Sequence, residues 1–278
     1  MPGHTRPVFS CPALLFSLAL AASNYGVLLA ESQGTAARAA PAAFLVDETG
    51  VGDLNGDGDS ADSVLHVYDA RRGVTLNLRV AAASVCRATP GPPFTICTPV
   101  APVVDRTTIA FLVGELAQGA TDLNGDGDAD DDVLHVFGAA SDGVVNTGLA
   151  VAHGVGRDVS SYTYPGLPVL SHDGIALLVS ESEQGGTDLN RDGDASDAVL
   201  HAIEPKTVDV LNLELAAATV PGPFGSRNPI WPQLDGQTVT FVAGEPDQGS
   251  LDLNGDGDVD DQVTYRLKLQ NGRLRPAR

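Results

Sequence analysis

The chain repeats itself, and that repeat limits its fold more than any other feature. A ten-residue acidic segment occurs four times, starting at Asp53, Asp122, Asp188 and Asp252, at intervals of 69, 66 and 64 residues. Before each copy stands an apolar run ending in glutamate: 44–48, 111–115, 177–181 and 241–245. Self-similarity of this kind means that each unit is one supersecondary structure that buries its apolar faces against its neighbours.

Each unit holds four strand candidates, short β-branched and apolar segments bounded by turn residues. The first begins at a proline (Pro102, Pro168, Pro232), a residue suited to strand starts and edges because it cannot donate to a ladder. The second covers Ile109–Val113, Ile175–Val179 and Val239–Val242. The acidic segment follows. The third strand is Val64–Tyr68, Val133–Phe137, Val199–Ile203 and Val263–Leu267. The fourth is Val74–Leu78, Val144–Leu149, Val208–Leu215 and the weaker Arg273–Arg275. Unit one has no proline-initiated strand; either 34–42 supplies it or the unit is incomplete. The units run approximately over 43–81, 102–152, 168–216 and 232–278, within one domain from 31 to 278.

Four-stranded units in tandem predict an all-β chain and point to a β-propeller. The run Pro168-Val-Leu-Ser-His-Asp-Gly-Ile-Ala-Leu-Leu-Val-Ser180, with Leu65-His-Val-Tyr-Asp69 after the acidic segment, resembles the blades of TolB-type, WD40-like propellers. The resemblance covers roughly 43 to 278 and implies about four four-stranded blades. Propellers of that type usually have six or more. A closed four-bladed ring, an incomplete ring and a part of a larger assembly therefore stay open, with a β-sandwich or stacked β-solenoid as the alternative.

All four acidic segments open as Asp-x-Asn-x-Asp-Gly, the first half of an EF-hand calcium loop. Calcium takes six to eight oxygens at about 2.3–2.6 Å, and side chains at loop positions 1, 3 and 5 converge as the chain curls. Those positions are Asp53, Asn55 and Asp57; Asp122, Asn124 and Asp126; Asp188, Asn190 and Asp192; Asp252, Asn254 and Asp256. Position 7, which offers its carbonyl in an EF-hand, is Asp59, Asp128, Asp194 and Asp258. Position 12 is valine in every copy, so Asp62, Asp131, Asp197 and Asp261 at position 10 are the expected closing carboxylates. The segments also lack flanking helices and run straight into a strand, resembling the calcium loops of integrin-type propellers, which close one residue earlier. Without a bidentate glutamate, affinities of about 10⁻⁴–10⁻³ M are expected. Four copies in one register argue against a merely solvated charge run.

Several neighbouring residues receive smaller roles. Glu48, Glu115, Glu181 and Glu245 read as exposed strand ends, an outer ligand being the alternative. Gln118, Gln184 and Gln248, each followed by glycine, read as turn formers. His66, His135 and His201 share one strand position with Tyr265, which suggests an aromatic-type surface position and not a metal site. No nucleophile is nominated together with its base.

Half of the 36 acidic residues lie in the four loops, so the net charge of −20 is concentrated there. That pattern suits local cation sites and disfavours nucleic acid, whose phosphates would be repelled. An apolar stretch over 8–22 follows His4 and Arg6, with small residues near 21 and 30; it reads as a cleaved export signal within 1–30. No span is then expected in the mature chain, which would be secreted or held in the cell envelope. Cys86 and Cys97 are expected to form a disulfide. The expected function is a calcium-binding structural or binding module with up to four ions. A protein or glycan would sit on the loop face, where Phe94, Tyr162, Tyr164, Phe224 and Trp231 lie in the linkers; for Trp231 a core-capping role competes. The alternative is a calcium-dependent extracellular hydrolase or lyase.

Overall fold

The strand candidates of each unit pair in sequence order, four in units two to four and three in unit one. In a computed structural model of the chain, residues 41–276 are described, apart from residue 71 and segments 89–94, 139–142, 156–162 and 223–225. The expected signal, the 34–40 stretch, Phe94, Tyr162 and Phe224 lie outside the described residues. Among those residues no α-helix forms, and no helix is long and apolar enough to cross a membrane.

Unit one is a three-stranded antiparallel sheet of β1 (Ala42–Asp47), β2 (Ser63–Asp69) and β3 (Val74–Ala81). A hairpin follows, β4 (Ser84–Ala88) and β5 (Thr95–Pro99). Unit two is a four-stranded sheet of β6 (Val103–Asp105), β7 (Thr108–Gly114), β8 (Asp132–Gly138) and β9 (Gly143–Ala150). After the hairpin β10 (His153–Val155) and β11 (Thr163–Pro165), unit three repeats the order as β12 (Val169–Ser171), β13 (Gly174–Ser180), β14 (Ala198–Ile203) and β15 (Val210–Ala216). A third hairpin, β16 (Thr219–Pro221) and β17 (Arg227–Pro229), leads to β18 (Gln233–Asp235), β19 (Thr238–Gly244), β20 (Gln262–Gln270) and β21 (Arg273–Pro276).

The linkers between the sheets are hairpins and not plain loops. Their Pro- and Gly-rich composition hides strands of three to five residues, too short for alternation to show. In the first hairpin Cys86 stands directly opposite Cys97. Residues so opposed lie about 4.5–5.5 Å apart at Cα, inside the span of a disulfide.

The sheets stack in chain order. Ala43, Leu45, Leu65 and Val67 of the first pack against Ile109, Phe111, Val113 and Phe137 of the second. The opposite face of the second, with Ala110, Leu112 and Leu134, packs on Ile175, Leu177 and Val179 of the third. Ala176, Leu178 and Leu200 then meet Val239, Phe241 and Leu269 of the fourth. The middle sheets are thus buried on both faces, which is why β7 and β13 read as unbroken apolar runs. The outer side of the fourth sheet differs: Thr264 and Arg266 are exposed where sheets one to three carry leucine, valine or alanine. Among the described residues no sheet closes on itself.

Small residues let the chain cross between sheets. Ala82, Val151 and Ala217 form bridges to Val113, Val179 and Ala243 of the following sheet. The next residues, Ala83, Ala152 and Ala218, donate to the carbonyls of Leu112, Leu178 and Val242. All six are at most 3% exposed, and a longer side chain there would wedge the sheets apart. Val64, the first buried strand residue after the acidic loop, pairs with Ala81. Loops and crossings therefore share one end of the stack.

Candidate metal centre

Each acidic loop is laced to its own backbone by its side chains. In the first, Asp53 accepts from the amides of Gly56 and Gly58, Asn55 from Asp57, Asp57 from Asp59, and Asp59 from Ala61. The other three repeat this ladder with their own aspartates. Gly58, Gly127, Gly193 and Gly257 take φ between 99° and 109°, a region open to glycine at little cost.

Two of the five expected ligands of each loop, positions 7 and 10, converge together with one addition; the aspartates at positions 1 and 5 stand outside these groups. Carboxylate oxygens of Glu48, Asp59 and Asp62 lie within 4.8 Å of one another, as do those of Glu115, Asp128 and Asp131; Glu181, Asp194 and Asp197; and Glu245, Asp258 and Asp261. Position 7 thus brings its side chain to the cluster, where an EF-hand uses its carbonyl. The closing role of position 10 is consistent with this grouping.

The strand-end glutamates are not exposed: all four are 0% accessible. Glu181 Oε1 accepts from Leu189 (2.6 Å) and Asn190 (3.3 Å), and Oε2 accepts from Asp197 (2.9 Å). Glu48 does the same with Leu54, Asn55 and Asp62. The glutamate is a staple between the loop's second, third and tenth positions and the strand before it. Its own loop folds back over it, in unit four as in the others, so the strand residues beside it gave no sign of burial. A second tether was also missed. Asn77, Asn146 and Asn212 donate to the carbonyls of Leu54, Leu123 and Leu189, each 23 residues earlier. Their side-chain oxygens accept from Arg79, Gly148 and Glu214, which sit at φ 58°, 67° and 55° beside a bulge in the third-to-fourth strand pairing. That constant spacing was the available signal.

The histidines are structural, though buried in two of three cases. Each Nδ1 lies 3.0–3.2 Å from the carbonyl two residues earlier, and burial pushes His135 down to about 4 and lowers His201. Trp231 packs on the cluster between sheets three and four, as a core cap would.

The donor set fits a hard cation. Asp57 Oδ2, Asp126 Oδ2 and Asp131 Oδ1 are buried with no hydrogen-bond partner, and Asp131 as a residue is only 2% exposed. A carboxylate oxygen in that state calls for a proton, a water or a metal, and a metal satisfies it together with the converging acids beside it. The acids show the strain. Burial, then Asp59, Asp57 and Glu48, pushes Asp62 up to about 7. Burial, then Glu183 of the next unit, pushes Asp131 to about 9. Burial, then Asp192, pushes Asp197 to about 8.

A pH prediction follows for the metal-free chain. These three acids hold protons in the fold that the unfolded chain, with carboxyls near 3.8, has already released. Their contribution to stability is complete below that value and is lost as pH rises through about 7 to 9. The buried histidines act oppositely, but only below 6.5. Between pH 6.5 and 9 the melting midpoint in EDTA should therefore fall with pH, and calcium should flatten or reverse that slope. Thermal melts at pH 6.5, 7.5 and 8.5 check it; a rising midpoint in EDTA contradicts the arrangement described.

Comparison of the chain with protein-family models, with curated proteins and with solved structures returns no match.

Proposed function

We propose that the chain is an exported, calcium-stabilised array of blade-type sheets that works as a binding or structural module outside the cell. The observation that carries the cation is the set of orphaned buried carboxylate oxygens, Asp57 Oδ2, Asp126 Oδ2 and Asp131 Oδ1, at loops repeated four times. Calcium suits a loop built from many oxygens on a flexible backbone better than magnesium, which demands near-ideal octahedral geometry and keeps its water. The ligands are Asp53, Asn55, Asp57, Asp59 and Asp62 and their counterparts in the other loops.

We read the stack as an arc of TolB-type blades, left open at the fourth sheet. Its polar outer side, with Arg266 and Lys268, is unsuited to burial against another apolar sheet. Loops and hairpins at one end of the stack would present the partner surface, protein or glycan, on a scaffold held rigid by the ions. Export through the N-terminal signal and a Cys86–Cys97 disulfide belong to the same reading.

Calorimetric titration of calcium into EDTA-stripped protein tests it. We expect close to four ions per chain, with dissociation constants of about 10⁻⁴–10⁻³ M for at least the most open loop, and little competition from equal magnesium. Absence of binding at millimolar calcium would refute the proposal.

A further inference from the structure

We propose that loops one to three are latches between sheets, each cation site holding its own unit to the next, whereas loop four is an uncovered site of a different kind. This rests on the cation reading above. The link is the asparagine at position 3. Asn55 Nδ2 donates to the carbonyl of Ala117 (3.1 Å), Asn124 Nδ2 to that of Glu183 (2.8 Å) and Asn190 Nδ2 to that of Asp247 (3.1 Å). These carbonyls occupy the same place in the short 3₁₀ turns Leu116–Gln118, Ser182–Gln184 and Pro246–Gln248 of the following unit.

Three further contacts close the joint. Gly119, Gly185 and Gly249 end those turns at φ 62–70°, and a Cβ on them would stand 2.9–3.0 Å from Cβ of Asp57, Asp126 and Asp192 in the preceding loop. Gln118, Gln184 and Gln248 accept from the amides of Ala81, Ala150 and Ala216, the last strand residues of the preceding unit. The Glu183 carboxyl also reaches Asp131 across the joint. The orphaned carboxylate oxygens lie in loops one and two, both covered in this way.

An asparagine is required there for a chemical reason. Its oxygen serves the loop, accepting from Asp57, Asp126 or Asp192, while its amide donates to the neighbour and, in loops two and three, also to Asp131 or Asp197 of its own loop; only the bond to the neighbour is missing at Asn254. Aspartate would keep the first function and set a carboxylate against a carbonyl in the second, two acceptors with no proton between them. Loop four lacks the joint. Asn254 is exposed, and its amide turns back to Asp256 and Asp261 of its own loop. At the other end of the array, the counterpart of the turn in unit one is a short Glu48–Gly52 bend without glutamine. Latches and turns thus match in number, three of each.

The equivalent substitutions Asn190→Asp and Asn254→Asp in the full chain, titrated with calcium alone, test the idea. The readout is hydrogen exchange at Ala216 and Ala218, whose amides cross the joint between units three and four. Calcium should slow exchange there in the native protein. Asn190→Asp should lose roughly tenfold of that slowing, the scale of one hydrogen bond replaced by an acceptor clash, while still binding calcium. Asn254→Asp should keep the slowing and change only its own loop. Equal effects of the two substitutions, or slowing confined to the loops, overturn the latch but leave the cation reading standing; no binding by the native protein removes both. Should Asn190→Asp fail to fold, Gly249→Ala against Gly236→Ala gives the same comparison, because Gly236 has similar φ (60°) but open space around it. Gly249→Ala must then weaken calcium binding more than Gly236→Ala does.

Discussion

Stripping calcium with EDTA at pH 7.5 is expected to lower the melting midpoint by more than about 15 °C, or to unfold the chain outright at room temperature. Each site adds RT ln(1 + [Ca]/Kd), which at 10 mM calcium and a Kd of about 10⁻⁴–10⁻³ M is about 1.4–2.7 kcal/mol. Four such sites contribute about 6–11 kcal/mol, comparable to the whole stability of an ordinary domain. At about 2–4 °C per kcal/mol for a chain of this size, the shift is large. Repulsion adds to it, since the metal-free loops hold acids raised to about 7, 9 and 8 at Asp62, Asp131 and Asp197. Differential scanning calorimetry with matched ionic strength is the measurement. A shift under about 3 °C would mean that the sheets hold themselves together and the loops are passengers.

What could be read in the sequence was whatever is local. Strand alternation and turn residues placed all four strands of units two to four within a few residues, because pairing follows chain order and each turn is short. The loop was equally legible, since its expected ligands lie within ten residues and each Asx ladder closes over two to five. The partners that bind one unit to another lie far apart in the chain. Asn55 meets Ala117, 62 residues on, and Asn190 meets Asp247, 57 residues on. Glutamine in an acidic turn looked like turn chemistry, although its oxygen takes an amide from the sheet before. Glu115 and its counterparts looked exposed because the acidic loop folds back over them, and Glu245 is buried in this way with no sheet beyond it. Thr264 and Arg266, where earlier units hold leucine and Val67, Val136 or Ala202, were visible in sequence as a change of pattern. Their meaning needed the stacking direction, which the face-by-face clusters supply.

Replacing one buried glutamate should be the most damaging single change. Glu181→Ala removes the acceptor for the amides of Leu189, Asn190 and Asp197 and opens a void under the third loop. Unsatisfied buried donors cost about 1–3 kcal/mol each, and water entering the void will recover part of that, so a net loss of about 3–5 kcal/mol is expected in calcium. In EDTA the loss should be smaller. There the glutamate also repels the loop, its charge being one of the causes that raise Asp197, and removing it relieves that repulsion. The difference between the two conditions therefore separates the staple from the charge. Glu181→Gln keeps one acceptor but sets an amide against the Asp197 N–H, and should fall between native and alanine in calcium. Urea unfolding of the three proteins, with and without the ion, measures all of this. A loss below about 1 kcal/mol for alanine in calcium would show that the loop is held by its own aspartates and by the next unit alone.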